Sequence, residues 1–472
     1  MNGTRGQVRA GVLAVVSMAA ALLVGCTSGS GQPPAPAPDI DHHNITVWTT
    51  ETLPDRMAKL RVIIEDFTAA TGVKADLVGV PPHRFNQVLT SSAASGDLPD
   101  VMNALSLGQV RTLAASGHID YKTNAAIVQG LGEQTWAARA LELTRDNGQQ
   151  LAIPGAAWHQ LLYYRKDLFA KAGLRAPRTY EDIVAAARKL DSPALAGIVA
   201  ANKAGQAFTQ QSFEHIAQGN GCEMVDGKGS IAFDSPECVA ALGFYRDLLK
   251  NYSVPGIQDI DSVRSAYFAG KAAMAIWPTH MLDELAGTRT DARPSCPECA
   301  KDPLFLARNT AVVAGLQGPD GKRPSHFGEM ISWSVTADSD SEPARRFVEY
   351  LLTDGYASWL AIAPEERVPV RAGNTTNPTE YADAWMSAPV AAGYSERLGS
   401  IYAKDVLSTL VQGSNDLEHW GIVQGHSELA GAAMAELPIA KAVSDVAAGG
   451  AEPQAAATKA AAVLRSILKS IK

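Results

Sequence analysis

Five cysteines and ten histidines are the side chains of this 472-residue chain most suited to redox, nucleophilic or metal chemistry. The histidines are scattered without ligand spacing. The one adjacent pair, His42-His43, reads more simply as solvated than as a metal site. No GxSxG, GxxxxGK(S/T), HExxH or GxGxxG occurs, so these patterns supply no nucleophile elbow, phosphate loop or zinc helix. Cys296-Pro-Glu-Cys299 has the spacing of half a zinc site or of a redox pair. No second CxxC or HxxxH follows to complete four zinc ligands, and the context RPSCPECAKDP does not resemble the opening of a thioredoxin-type helix. A structural loop clip is the simpler reading. Cys222 and Cys238 bracket Asp226-Gly227-Lys228-Gly229, whose glycines permit the positive φ of a hairpin turn. Of the three connectivities open to these four cysteines, 222–238 with 296–299 is preferred. Neither a cofactor nor a bound metal is expected.

The compartment is written in the first 26 residues. Arg5 and Arg9 precede an uncharged run of apolar and small residues over 10–25, too short to span a hydrocarbon core of about 30 Å but suited to a signal peptide. The run ends Leu23-Val24-Gly25-Cys26, which looks like a bacterial lipobox. Residues 1–25 then form a lipoprotein signal peptide and Cys26 is the lipidated first residue of the mature chain; an ordinary secretory signal is the alternative. Residues 26–44, with TSGSGQPPAPAP at 27–38, have the composition of a flexible tether. No later apolar run reaches about 18 residues, so the membrane is met by the lipid anchor alone, at the outer face of the cell membrane. An oxidising compartment favours disulfides. With 46% hydrophobic and 19% charged residues the body is globular, and a formal net charge of −8 argues against nucleic acid as a partner.

The elements that must position any site follow from local pattern. Residues 45–50, ITVWTT, form a β-branched and aromatic strand. Residues 55–71 carry apolar side chains at 57, 60, 63, 64 and 67, the spacing of a helix, stopped by Gly72. A strand over 73–80, a helix over 84–95, a buried strand over 99–103 and a helix over 109–116 continue the alternation. Strands alternating with helices imply a parallel sheet, with ligands at the carboxyl ends of its strands. Residues 152–154 and 158–164 read as extended, and 166–172 as a short helix closed by Gly173. Thr179 and Asp182 have capping-box spacing. Further helices are expected over 205–218, 236–250, 262–269, 342–353, 355–362 and 453–470.

Seven segments occur in an order that is itself informative: ITVW (45–48), SGDLPDV (95–101), GQQLAIP (148–154), YYRKDLFAKAGLRAPRTYEDIVAAARKL (163–190), FAGKAAMAIW (268–277), ARRFVEYLLTDG (344–355) and VPVR (368–371). In these the chain resembles the extracellular solute-binding proteins of bacterial carbohydrate ABC importers, the family 1 group that includes maltose-binding protein, in its lipoprotein form. The resemblance implies an α/β, two-lobed periplasmic-binding-protein fold, each lobe a mixed and mainly parallel sheet flanked by helices, with about three hinge crossings near 154–157, 314–323 and 362–369. The amino-terminal lobe is then 45–155 plus 322–365, and the carboxy-terminal lobe 156–321 plus 366–472. It implies a monomeric receptor that captures a sugar, oligosaccharide or related polyol without chemical turnover and delivers it to ABC permease subunits and, through them, a cytoplasmic ATPase. Two rivals stay open: an exported carbohydrate-active hydrolase, which needs only two carboxylates placed by the fold, and a receptor for another solute such as a sugar phosphate or peptide.

For a sugar cleft the useful side chains are aromatics, which stack on pyranose faces, and polar groups that bond hydroxyls. Trp48, Thr50 and Glu51 stand at the carboxyl end of the first strand, although Trp48 also reads as core. Asn103 ends the third strand. Trp158 and His159 follow the first crossing. By resemblance, Trp277 and His280 occupy a position that supplies aromatic contacts, and Trp420 lies in a stretch that carries a stacking aromatic. Glu329 stands where the family usually has a second glycine, as a polar contact or a plain surface carboxylate; Trp333 follows on the same strand, as a contact or as core; and Arg371 could grip an anionic or hydroxylated ligand or be an ordinary exposed arginine.

Overall fold

A computed structural model of the chain describes residues 44–471, apart from residue 392 and the side chain of residue 83. The signal segment 1–25, Cys26, the tether up to residue 43 and the pair His42-His43 lie outside the described residues. Eleven strands are present among them: β1 (Asn44–Thr49), β2 (Lys74–Gly79), β3 (Val101–Leu105), β4 (Arg145–Asp146), β5 (Gln149–Gln150), β6 (Ile153–Arg165), β7 (Met274–Pro278), β8 (Thr310–Val313), β9 (His326–Val335), β10 (Val368–Pro369) and β11 (Leu417–Glu418). β4 and β5 form a hairpin of their own. The main sheet runs β10-β6-β9-β3-β1-β2, with β1 parallel to β2 and β3 and with β9 antiparallel to β3 and β6.

The two extended segments expected over 152–164 are one strand. Residues 153–159 of β6 pair with β9, and residues 160–165 pair with β7 on one side and β8 on the other. Pro154 and Gly155 are tolerated inside it because the ladder is bulged between Pro154 and Ala156. Gly155 is required there: a Cβ would stand 2.9 Å from the Trp359 ring and 3.0 Å from both the Ile331 carbonyl and the Trp333 indole nitrogen.

The helices that frame the sheet largely follow their sequence signals. Pro54–Thr71 buries Met57, Leu60, Ile63, Ile64 and Phe67 against the sheet and ends at Gly72, whose φ of 76° is left-handed. Thr179 Oγ1 accepts from the Asp182 amide at 3.1 Å while Asp182 accepts from the Thr179 amide at 3.2 Å, which closes the capping box of Tyr180–Leu190. Cys222 is joined to Cys238 and Cys296 to Cys299, all four side chains buried. No described helix is long and apolar enough to cross a membrane, and no described group of His, Cys, Asp or Glu could hold a metal ion.

One helix is unusual in composition. Ala207–Gly219 is buried almost all round, yet it carries Thr209, Gln210, Ser212, Glu214, His215 and Gln218. His215 packs near His326 of β9, and His326 shares a 2.8 Å hydrogen bond with His159 of β6. Among the described residues these three imidazoles pair with no carboxylate, and burial pushes His159 and His215 down to about 3.

Candidate binding cleft

A cavity of about 440 Å³ opens at the carboxyl ends of β1, β2 and β3, where β9 and β6 cross beneath it. β1 delivers Thr50 and Glu51, and the first turn of Pro54–Thr71 delivers Arg56. β3 ends in a bulge, its register against β9 shifting between Met102 and Leu105. Ala104 there adopts φ 58°, a conformation costing an L-residue about 1 kcal/mol, and its carbonyl accepts the Thr50 hydroxyl at 2.6 Å. Helix Leu107–Ala115 follows, with a reciprocal capping box between Ser106 and Gln109, both of which line the cavity.

Trp158 of β6 and Glu329 of β9 are direct cross-strand partners, so their side chains share one face of the sheet. The indole is half-buried and is held edge-on by Phe327, with ring centroids 5.5 Å apart, and by His280 at 5.8 Å. Glu329 Oε1 accepts from the amides of Leu107 and Met330 at 2.9 and 3.0 Å, while Oε2 lies 3.7 Å from His419 Nε2. Burial pushes its carboxyl above the ordinary range, against the opposing pull of His419 and the two amides.

The opposite wall is ionic. Arg56 is clamped by Glu366 at 2.6 Å, Glu365 at 2.9 Å and Glu51 at 3.2 Å. Arg367 lies over the Trp359 ring, donates to the Trp359 carbonyl at 2.6 Å and stands 3.6 Å from Glu51. His280 Nε2 meets Glu366 Oε1 at 3.2 Å. Burial would raise the Glu366 carboxyl, but the His280 hydrogen bond and the Arg56 charge hold it well below the usual range, and Glu366 in turn raises His280. Glu365 goes the other way, to about 8, through burial and the charges of Asp283 and Glu366. Replacing Arg56 with Met takes a partner from Glu51, Glu365 and Glu366, leaving Glu51 only Arg367 and Glu366 only His280, and is expected to cost about 3 kcal/mol or more in urea denaturation at pH 7. A cost within about 0.5 kcal/mol, the scale of exposed ion pairs, would contradict this picture of the wall.

Of the residues singled out in sequence, Thr50, Glu51, Trp158, His280 and Glu329 come together in this cavity. The others do not line it, and their placement corrects the expectation that they face it. Trp48 packs with Val80, Phe85 and Met102. Asn103 is buried and donates to Thr49 Oγ1 at 3.2 Å. His159 points to the opposite face of β6 from Trp158, as adjacent strand residues must. Trp277 packs edge-on to Phe208 at 4.8 Å, and Trp333 against Trp359 and Phe347. The Trp420 indole donates to the Cys222 carbonyl at 2.7 Å. Arg371 lies over Trp136 and donates to Thr135 and to the carbonyls of Leu131 and Leu352. Sequence reasoning missed Arg56, Gln109, Glu366 and Arg367. The run Glu365-Glu366-Arg367 inside the apolar stretch 360–370 was the available signal. A larger groove of about 660 Å³ runs between Tyr180, Arg188, Phe244 and Gly318 and shares no lining residue with this cavity.

A cleft at the carboxyl ends of parallel strands, crossed by a long shared strand and walled by an aromatic ring and fixed polar groups, has the geometry of a small-molecule binding site. Residues 50–358 match the family model of bacterial extracellular solute-binding proteins, and the chain belongs to that family. It is 28% identical over 333 residues to YcjN of Escherichia coli strain K12, whose description as an ABC transporter periplasmic-binding protein is itself provisional; the match covers 69% of this chain and 72% of that one. It is 24% identical over 353 residues to the maltooligosaccharide ABC transporter solute-binding lipoprotein of Streptococcus pneumoniae, covering 72% and 75%. The crystal structure of the cyclic α-maltosyl-1,6-maltose binding protein of Arthrobacter globiformis superposes with a TM-score of 0.65 at 20% identity, over 91% of this chain and 99% of that one. The fold is therefore the two-lobed α/β fold of periplasmic binding proteins.

Proposed function

We propose that this protein is the extracytoplasmic receptor of an ABC importer, anchored to the outer face of the membrane through lipidated Cys26. It captures a sugar, short oligosaccharide or related polyol between lobes 45–155 plus 322–365 and 156–321 plus 366–472. The observation that carries this reading is the half-buried Trp158 ring beside the hydroxyl-bonding groups Glu329, Ser106 and Gln109, in a cavity at the small end of ligand sites. The names of the pneumococcal and Arthrobacter relatives, each a binder of maltose-derived saccharides, support the ligand class. Closure of the lobes excludes water and strengthens each polar contact, and release needs only reopening, so the protein acts as a monomer, without a cofactor and without chemical turnover. Permease subunits, coupled to a cytoplasmic ATPase, receive the ligand. A thermal-shift screen of carbohydrates tests this directly, because a ligand at 100 times its Kd stabilises by about 2.7 kcal/mol. Hydrolysis of a glycoside with turnover would instead establish the hydrolase reading.

A further inference from the structure

We propose that the cleft selects its ligand by charge: a sugar bearing a protonated amine binds in preference to its neutral counterpart, and a carboxylated or phosphorylated sugar is rejected. This rests on the sugar-receptor reading above. Every cation of the cavity wall is already committed. Arg56 is shared among Glu51, Glu365 and Glu366, Arg367 is held by the Trp359 carbonyl and ring beside Glu51, and His280 Nε2 is on Glu366. An incoming anion must displace a carboxylate held at 2.6–3.2 Å and fixed by the chain, and it loses its own hydration in doing so.

Glu329 is the converse case. Two backbone amides hold Oε1, and among the described residues no guanidinium or ammonium group pairs with Oε2, whose nearest ionisable partner is the His419 imidazole at 3.7 Å. Arg139 and Arg323 are both paired to Glu418, which stands opposite Phe327 on β9, two residues before Glu329. Because Glu329 stands directly across the ladder from Trp158, a pyranose stacked on the indole carries its substituents within reach of Oε2. An ammonium group there meets a carboxylate on one side and the electron-rich ring on the other. Burial disfavours the charged carboxylate in the empty cleft, and an arriving cation relieves that cost where a neutral hydroxyl does so less.

Calorimetry on the mature chain tests the proposal with matched sets: glucose, glucosamine, N-acetylglucosamine and glucuronate, and the same four forms of galactose, with glucose 6-phosphate added. In whichever set binds, the amine is expected to bind at least about tenfold more tightly than the parent sugar, equivalent to about 1.4 kcal/mol. The N-acetyl form, which has lost the charge, should fall back to the neutral level, and the anions should show no binding. Glu329→Gln keeps an acceptor for both amides and should collapse the amine-to-neutral ratio to near one. Equal affinities for amine and parent, tightest binding by an anion, or an unchanged ratio in Glu329→Gln each overturn charge selection while leaving the sugar receptor standing. Absence of binding by the amine in both sets also overturns charge selection, whereas the sugar receptor falls only if the wider carbohydrate screen, oligosaccharides and polyols included, finds no ligand either.

Discussion

The free energy of unfolding is expected to reach a maximum between about pH 4.5 and 6.5 and to fall on either side. The acid limb belongs to His159, His215 and His326. In the unfolded chain each protonates near pH 6.5, whereas burial holds His159 and His215 at about 3 and, with two imidazole neighbours, His326 well below its ordinary value. The unfolded state thus binds more protons across that window, and stability is lost as pH falls from about 6.5 toward 3, by about 1.4 kcal/mol per pH unit for each imidazole kept neutral. The alkaline limb belongs to Glu214, Glu223 and Glu365, which burial, helped at the last two by neighbouring carboxylates, raises to about 7, about 8 and about 8. Their contribution is complete below the unfolded value of 4.5 and is lost as pH rises through 7 to 8. Between 4.5 and 6.5 the two sets oppose each other. Denaturant melts from pH 3.5 to 8.5 read the curve, and His215→Gln isolates one imidazole: its acid limb should be shallower by about 1.4 kcal/mol per pH unit. Parallel limbs for the two proteins would show that His215 titrates in the fold as it does in water.

The second large effect separates two tryptophans of identical chemistry. Trp158→Ala removes the proposed stacking platform and should weaken binding of the cognate sugar by on the order of 2 kcal/mol, near thirtyfold, with little change in stability. Trp277→Ala empties a core position 2% exposed, packed against Phe208 and beneath Arg264, and should cost roughly 3–5 kcal/mol of stability. Its affinity, measured on the fraction that folds, should stay close to that of the parent. Calorimetric titration and thermal unfolding of both variants decide the matter, and a reversal of the two phenotypes would move the ligand platform from β6 to β7.

Why these two rings differ was not legible in their residue type. Trp158 and His159 are neighbours in the chain and lie on opposite faces of β6. Which face becomes cleft is decided by β9 and by the loop carrying His280, both distant in sequence. Trp333 shares a face of β9 with Glu329, yet Trp359 and Phe347 cover it. Where a signal is local, the sequence sufficed: the periodic apolar stripe of Pro54–Thr71, its glycine stop and the Thr179–Asp182 box all depend on residues within one helix. Helices such as Ser427–Glu436 escaped because SELAGAAMAE offers little contrast between faces, so tertiary packing defines them. The ionic wall was hidden for a different reason. Arg56 and Glu366 are 310 residues apart, and nothing in either neighbourhood names the other.

The unbroken course of β6 bears on how the molecule comes apart. Thirteen residues of one strand serve two sets of ladder partners, β9 and β10 along its first half and β7 and β8 along its second. Two bodies joined by a loop can melt separately, each keeping its own transition. Here neither half of the sheet can dissolve without taking hydrogen-bond partners from the strand that also centres the other. Denaturation is thereby expected to run across the cleft as a single cooperative event, with stabilisation gained at the ligand shared by both halves of the strand.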